Sequence, residues 1–122
     1  FGFFHIFFDE NGGRQSRTMS FWYPGLLQIQ DAVNGSSILR SRADMTMYTG
    51  INFSHEPHVD YEFENIATVY YVNDSDGPTI IEGNLIEPKA NRLVVFDGHV
   101  PHTGASPTKH KTRIIINSNF NV

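Results

Sequence analysis

The sequence predicts an all-β domain, a sandwich or barrel of short strands with a single helix. Three observations carry this. Most apolar segments are short, rich in β-branched and aromatic residues, and separated by Gly, Asn, Asp and Pro. Two of them alternate in polarity with the period of a strand. Only one stretch repeats apolar residues at helical spacing.

In chain order, residues 3–8 read as the first strand. This apolar opening lacks the basic flank and small-residue cleavage site of a signal peptide. Asn11-Gly12-Gly13 marks a turn. A helix is predicted over 24–33, where Leu26, Ile29 and Val33 share a face. Pro24 suits its first turn and Gly35 its end. Strands follow at 38–48, 66–72, 79–86, 92–96 and 112–120, with turn signals at 73–78 and at Asp97-Gly98.

Strand 112–120 carries Arg113, Ile115, Asn117 and Asn119 on one face. The other face holds Thr112, Ile114, Ile116, Ser118 and Phe120, and is read as core. An Arg sharing a face with Ile and Asn fits a polar cavity, or an ordinary solvent face. Strand 38–48 presents a similar polar row: Arg40, Arg42, Asp44, Thr46 and Tyr48.

The chain has 122 residues, the size of one domain. It begins at Phe1 rather than Met, which fits a fragment or a processed product. Apolar residues make up 39%, and aromatics, at 13%, add buried area. The absence of Cys excludes disulfides, zinc ribbons and thiol nucleophiles. The formal charge is -4 with no basic run, so the footprint of a nucleic-acid binder is missing. No apolar stretch approaches the roughly 18 residues needed to span a bilayer. A soluble, cytoplasmic protein acting on a small-molecule or peptide substrate is expected. Neither nucleic acid nor membrane is expected as a partner, and oligomeric state is left open.

His58-Val59-Asp60 sets two metal-binding side chains on one face of an extended segment. His102 lies 42 positions beyond Asp60. Two His and one carboxylate make the facial triad that holds Fe(II) and leaves coordination positions open. His-x-Asp alone is a weak motif. Its context strengthens it: Arg113 follows His102 by 11 positions, on the polar face already described. An Arg there suits a carboxylate, which it can grip with two parallel hydrogen bonds. The His-Glu-x-x-His run of zinc proteases is absent. His99 competes with His102, but the Pro101-His102 pairing and the shorter step to Arg113 favour the latter. His55 reads as a residue behind the ligands or as surface, and His5 and His110 as surface. Asp97 reads as a turn residue.

Over roughly 43–120 the chain resembles the 2-oxoglutarate/Fe(II) oxygenases of the prolyl 4-hydroxylase type, including the oxygen-sensing prolyl hydroxylases. The pieces that carry this are Tyr48 ahead of His58-Val59-Asp60, Val69-Tyr70-Tyr71-Val72-Asn73 and Gly77-Pro78-Thr79. Ile86-Glu87-Pro88-Lys89, Arg92-Leu93-Val94-Val95-Phe96, Pro101-His102 and Arg113 complete them. The resemblance implies a double-stranded β-helix, a cupin-like jelly roll with its metal at the mouth. It implies Fe(II), O2 and 2-oxoglutarate, which is decarboxylated to succinate as a substrate is hydroxylated. His58, Asp60 and His102 match the iron ligands, and Arg113 matches the residue that binds the distal carboxylate of 2-oxoglutarate. Tyr48 and Tyr71 match co-substrate contacts, with Tyr70 as the alternative if the register slips by one. Asn117 matches a polar position near that carboxylate.

Three departures stand out. Gly77-Pro78-Thr79 replaces the more usual Gly-Gly-x-Thr. Arg113 stands where many prolyl hydroxylases have Lys. Asn119 stands where nucleic-acid demethylases of the superfamily have a second Arg. A peptidyl proline is the substrate suggested by analogy, with a free amino acid or other small molecule close behind. Segments 11–20 and 50–57 are the expected specificity loops. Two other classes compete: a non-catalytic jelly-roll metal-binding domain, and a cupin-type enzyme that does not use 2-oxoglutarate.

Overall fold

The computed structural model describes residues 2–11, 14–51 and 53–122. Gly12, Gly13 and Asn52, which fall in the expected Asn11-Gly12-Gly13 turn and in the two specificity loops, lie outside the described residues. The chain runs β1 (Gly2–Asp9), β2 (Arg14–Gln15), α1 (Met19–Val33), β3 (Ile38–Met47) and β4 (Ile66–Tyr71). It continues β5 (Thr79–Ile81), β6 (Asn84–Ile86), β7 (Leu93–Asp97), β8 (His102–Gly104) and β9 (Thr112–Phe120). Two antiparallel sheets result. The larger has the order β2-β1-β3-β9-β4-β7 and the smaller β6-β5-β8. This is the all-β, cupin-like jelly roll with one flanking helix that the sequence predicts. Among the described residues no helix is long and apolar enough to cross a membrane.

The large sheet is covered on both faces. On its outer face α1 buries Met19, Leu26 and Ile29 against Phe120, with Trp22 and Ile66 packed around them. Leu26 is fully buried, so truncating it to Ala should cost about 2–5 kcal/mol. On the inner face Val69, Tyr71 and Ile115 form a second cluster with Ile86 and Phe96. The central strand β9 is therefore buried on both sides. Its Phe120 face lies under the helix, as expected, while its Arg113 face looks between the sheets rather than into solvent.

Three expectations need correction. The helix starts at Met19, so Pro24 sits inside it rather than in its first turn. The apolar repeat begins only after Pro24, which drew the predicted start too late. At the other end Asn34, not Gly35, takes the left-handed conformation, with φ 57°. Asn34 and Gly35 then donate their N–H groups to the carbonyls of Asp31 and Gln30, closing the helix. The single strand predicted over 79–86 is a hairpin. Glu82 and Gly83 both have positive φ, at 49° and 81°, which is the backbone of a tight two-residue turn. Strands β2 and β8 have two and three residues, too few to leave a pattern in the sequence.

Candidate metal centre

The site forms where the segment after β3 crosses β8. His58 and His102 exchange both backbone hydrogen bonds as an isolated antiparallel bridge, each at 3.0 Å. Directly opposed residues share a face, so the two imidazoles stand side by side, with ring centroids 4.8 Å apart. Asp60, two residues on from His58, turns its carboxylate between them. Its Oδ1 lies 3.5 Å from Nε2 of His58 and 3.4 Å from Nε2 of His102. The three ligand atoms all fall within 4.8 Å of one another. Asp60 and His102 are nearly covered, while the His58 side chain is 58% exposed, so the site is open on one side.

The donor set fits a divalent cation. His102 Nδ1 lies 2.8 Å from the Val100 carbonyl. A carbonyl only accepts, so Nδ1 carries the proton and Nε2 keeps its lone pair for a metal. Phe96 packs edge-on against the same ring at 4.8 Å. Burial pushes the Asp60 carboxyl up, but the adjoining His102 and His58 imidazoles and the Asn119 amide outweigh it and hold the group well below the usual carboxylate range. Asp60 is therefore an anion at neutral pH. Burial lowers the His102 imidazole, and the adjoining Asp60 carboxylate more than offsets this, so the balance lies above the ordinary value.

The ligands open into a cavity of about 390 Å³ between the sheets. Its floor is the inner face of β3 and β9, where register pairs Arg40 with Asn119, Arg42 with Asn117 and Thr46 with Arg113. Arg113 ends the cavity away from the metal ligands and is only 4% exposed. Its Nε donates to the Gly77 carbonyl at 2.8 Å, and its Nη2 to Thr79 Oγ1 at 2.7 Å. Both partners are neutral, and among the described residues no carboxylate forms an ion pair with it. Burial pulls the guanidinium down from its ordinary value. Gly104 leaves room for the group, because a Cβ there would stand 3.0 Å from both Nη1 and Nη2. A buried cation whose hydrogen bonds go only to neutral groups is costly; the Asp44 carboxylate acts on it through space, and an anion in the cavity would relieve the cost further.

Not every expected site residue is brought here. Asn117 lines the cavity and donates from Nδ2 to Asp44 Oδ2 at 3.0 Å. Tyr71 stands behind the cavity wall, fully buried, and its hydroxyl donates to Thr79 Oγ1 at 2.6 Å. Tyr70 is on the opposite face of β4, against Trp22, which resolves the register alternative. Tyr48 is not brought to the cavity. It lies beyond the end of β3 and is 54% exposed, because the inward row of that strand stops at Thr46. His99 is exposed, and its backbone N–H is held by Asp97 Oδ1 in a turn. His5 and His110 are exposed, as expected. His55 lines the cavity. Reading single residues missed Arg40, Arg42 and Asp44 as cavity groups, Asn119 as the partner of Asp60 and Asn65 as the residue behind it. The alternation of β3 and β9 was the available signal for four of them.

A jelly roll with a His-Asp-His cluster at the mouth of a polar cavity fits a cupin-like domain able to hold a metal. The comparisons narrow the class. Residues 43–121 match the 2OG-Fe(II) oxygenase superfamily, and the chain belongs to that family. Among solved structures it is similar to a Pseudomonas putida prolyl-4-hydroxylase, with TM-score 0.70 and 17% identity over 98% of this chain and 68% of that one. It is also similar to the viral collagen prolyl hydroxylase of Paramecium Bursaria Chlorella virus-1. There the TM-score is 0.61 and the identity 12%, over 98% of this chain and 74% of that one. A Bacteroides fragilis cupin protein shares the fold at TM-score 0.54 and 12% identity, over 76% and 73% of the two chains. No sequence among curated proteins matches the chain.

Proposed function

We propose that the chain is an Fe(II)- and 2-oxoglutarate-dependent dioxygenase in which His58, Asp60 and His102 hold the iron and Arg113 holds the co-substrate. The observation that carries this is the buried Arg113, without an anionic partner, in the same cavity as the three ligands. A metal-binding cupin that does not use 2-oxoglutarate has no need of that cation. Iron with 2-oxoglutarate and O2 supplies the oxidation: one oxygen atom enters succinate and the other the hydroxylated substrate, with CO2 released. The protein's part is to bind and orient. His102 is fixed in one tautomer by Val100, and Asp60 is kept ionised by its hydrogen bonds. Arg113, braced by Gly77 and Thr79, presents its remaining donors to a carboxylate. Tyr71 supports Thr79 from behind rather than touching the cavity itself.

For the hydroxylated substrate we take a prolyl residue first, on the fold shared with the two prolyl hydroxylases, and a free amino acid or other small metabolite second. Succinate formation with Fe(II), 2-oxoglutarate and a panel of prolyl peptides and free amino acids tests both levels. Succinate that requires both Fe(II) and 2-oxoglutarate and vanishes in His102→Ala is expected. Protein that binds Fe(II) and 2-oxoglutarate but forms no succinate across the panel would instead be a binding domain, and the reading falls.

A further inference from the structure

The two oxygens of the Asp60 carboxylate have different surroundings. Oδ1 faces the two imidazoles. Oδ2 accepts a hydrogen bond from Asn119 Nδ2 at 2.9 Å. The same amide nitrogen donates to Asn65 Oδ1 at 3.0 Å, and Asn65 Nδ2 donates to the Phe63 carbonyl at 3.0 Å. Asn65 and Asn119 are both almost completely buried. Arg40 closes the far side, with Nη2 3.4 Å from Asn119 Oδ1 and 3.6 Å from Asp60 Oδ1.

The direction of every donor in this chain is determined. The Phe63 carbonyl only accepts, so Asn65 must turn its NH2 group toward it and its oxygen toward Asn119. Asn119 must then present its own NH2, one hydrogen to Asn65 and one to Asp60. A backbone carbonyl, which cannot flip, thus sets the orientation of a donor two side chains away. Gly98 guards the first link. Its N–H holds the Asn65 carbonyl at 2.9 Å, and a Cβ on it would overlap the Asn65 amide.

We propose that Asn119, oriented by Asn65, is a positioning residue that engages Oδ2 of Asp60 and leaves Oδ1 alone to ligate the metal, and that this sets metal affinity. The inference rests on the metal-binding reading above. With Oδ2 engaged, the carboxylate cannot swing to bind through both oxygens, and the open positions stay open. Hydrogen-bond partners behind metal ligands typically change affinity by about 10–100-fold when removed.

The test is Mn(II) titration of the metal-free chain by calorimetry, with the visible spectrum of the Co(II)-loaded chain as a second readout and the melting temperature of the metal-free form as a control. Asn119→Leu, with the same branching but no donor, should weaken Mn(II) binding about 10–100-fold and alter the Co(II) spectrum. Asn65→Ala, which frees the Asn119 amide to flip, should shift both readouts in the same direction, weakening Mn(II) by about 3-fold or more. Folded variants that bind Mn(II) within about 3-fold of the parent, with an unchanged Co(II) spectrum, overturn the proposal. A purely structural role gives that result, with only the melting temperature lowered. If Asn119→Leu does not fold, Asn65→Ala decides on the same criteria. A parent chain that takes up neither Mn(II) nor Co(II) sinks the metal reading itself, so the two failures are distinct.

Discussion

The two ends of the cavity are finished to different degrees. At the metal end, Asp60 has partners on both oxygens and His102 has a committed tautomer. At the other end Arg113 is just as buried, but its hydrogen bonds go only to a carbonyl and a hydroxyl. The protein surrounds its anion with direct partners and leaves its cation without a carboxylate in contact. On the function proposed above, the difference follows the charge each ligand would bring. A metal brings positive charge, so the protein supplies a carboxylate and fixes it in place. An anionic co-substrate would bring its own negative charge, and Arg113, whose hydrogen bonds go to neutral groups, would supply the opposite one. Metal binding and co-substrate binding should therefore fail separately, through different residues.

The sharpest break of that separation is at the ligands. Asp60→Ala and His102→Ala are each expected to abolish tight Fe(II) binding, measured as metal content after chelation and reconstitution. His99→Ala should retain the metal. Iron retained in His102→Ala but lost in His99→Ala would reverse the assignment that the backbone bridge between His58 and His102 supports.

At the other end, Arg113→Ala should leave Mn(II) affinity nearly unchanged and weaken 2-oxoglutarate steeply. Loss of a charge-assisted, two-pronged contact costs roughly 2–5 kcal/mol, or about 30- to 4,000-fold. Arg113→Lys should fall between, since it keeps the charge and loses the fork. A titration of Arg113→Ala within a few-fold of the parent would place the clamp elsewhere. Gly104→Ala probes the same end more gently. Its new methyl meets both terminal nitrogens of Arg113, and the guanidinium must shift by a few tenths of an ångström. A loss of about 3- to 10-fold in 2-oxoglutarate affinity, or about 1 kcal/mol, is expected, again with metal binding unchanged.

Much of this contrast was legible in the sequence, and the reason is periodicity. The triad pair His58 and Asp60, and the inward row Arg113, Ile115 and Asn117, follow from the two-residue period of an extended chain. That period also located the polar row of β3. The failures have physical causes too. Tyr48 continues the polar row by spacing, but the strand ends at Met47 and its inward face ends with it. Pro24 was read as a helix start because prolines favour the first turn, yet here the packing of Met19 and Trp22 draws the helix further back. The link from Asn65 to Asn119 joins residues 54 positions apart, and only the pairing of β4 with β9 brings them together.

The smallest expected effect concerns the loop that leads into β9 and hence to Arg113. Asp76 accepts hydrogen bonds from the backbone N–H groups of Thr108, Lys109 and His110, and from the Thr108 hydroxyl at 2.6 Å. His110 Nδ1 lies 3.2 Å from the same carboxylate. Burial raises this carboxyl, but the Thr108 and His110 hydrogen bonds together outweigh it and hold the group well below its ordinary value of 3.8. A depressed carboxyl in the folded chain stabilises the fold when ionised. That contribution is fully present above the ordinary value and is lost as pH falls through the folded one. Asp76→Asn keeps the shape and one acceptor oxygen but removes the charge. The side chain is 23% exposed, so solvent screens the effect, and a loss of about 1 kcal/mol is expected at neutral pH. That corresponds to a few degrees in melting temperature for a domain of this size. The gap between parent and variant should stay constant from pH 7 down to about 5 and close on further acidification, as the parent's own carboxyl takes up its proton. Binding of metal and of 2-oxoglutarate, measured at neutral pH on folded protein, should stay within 2- to 3-fold of the parent. A gap that widened on acidification would mean that the variant had lost something other than this charge.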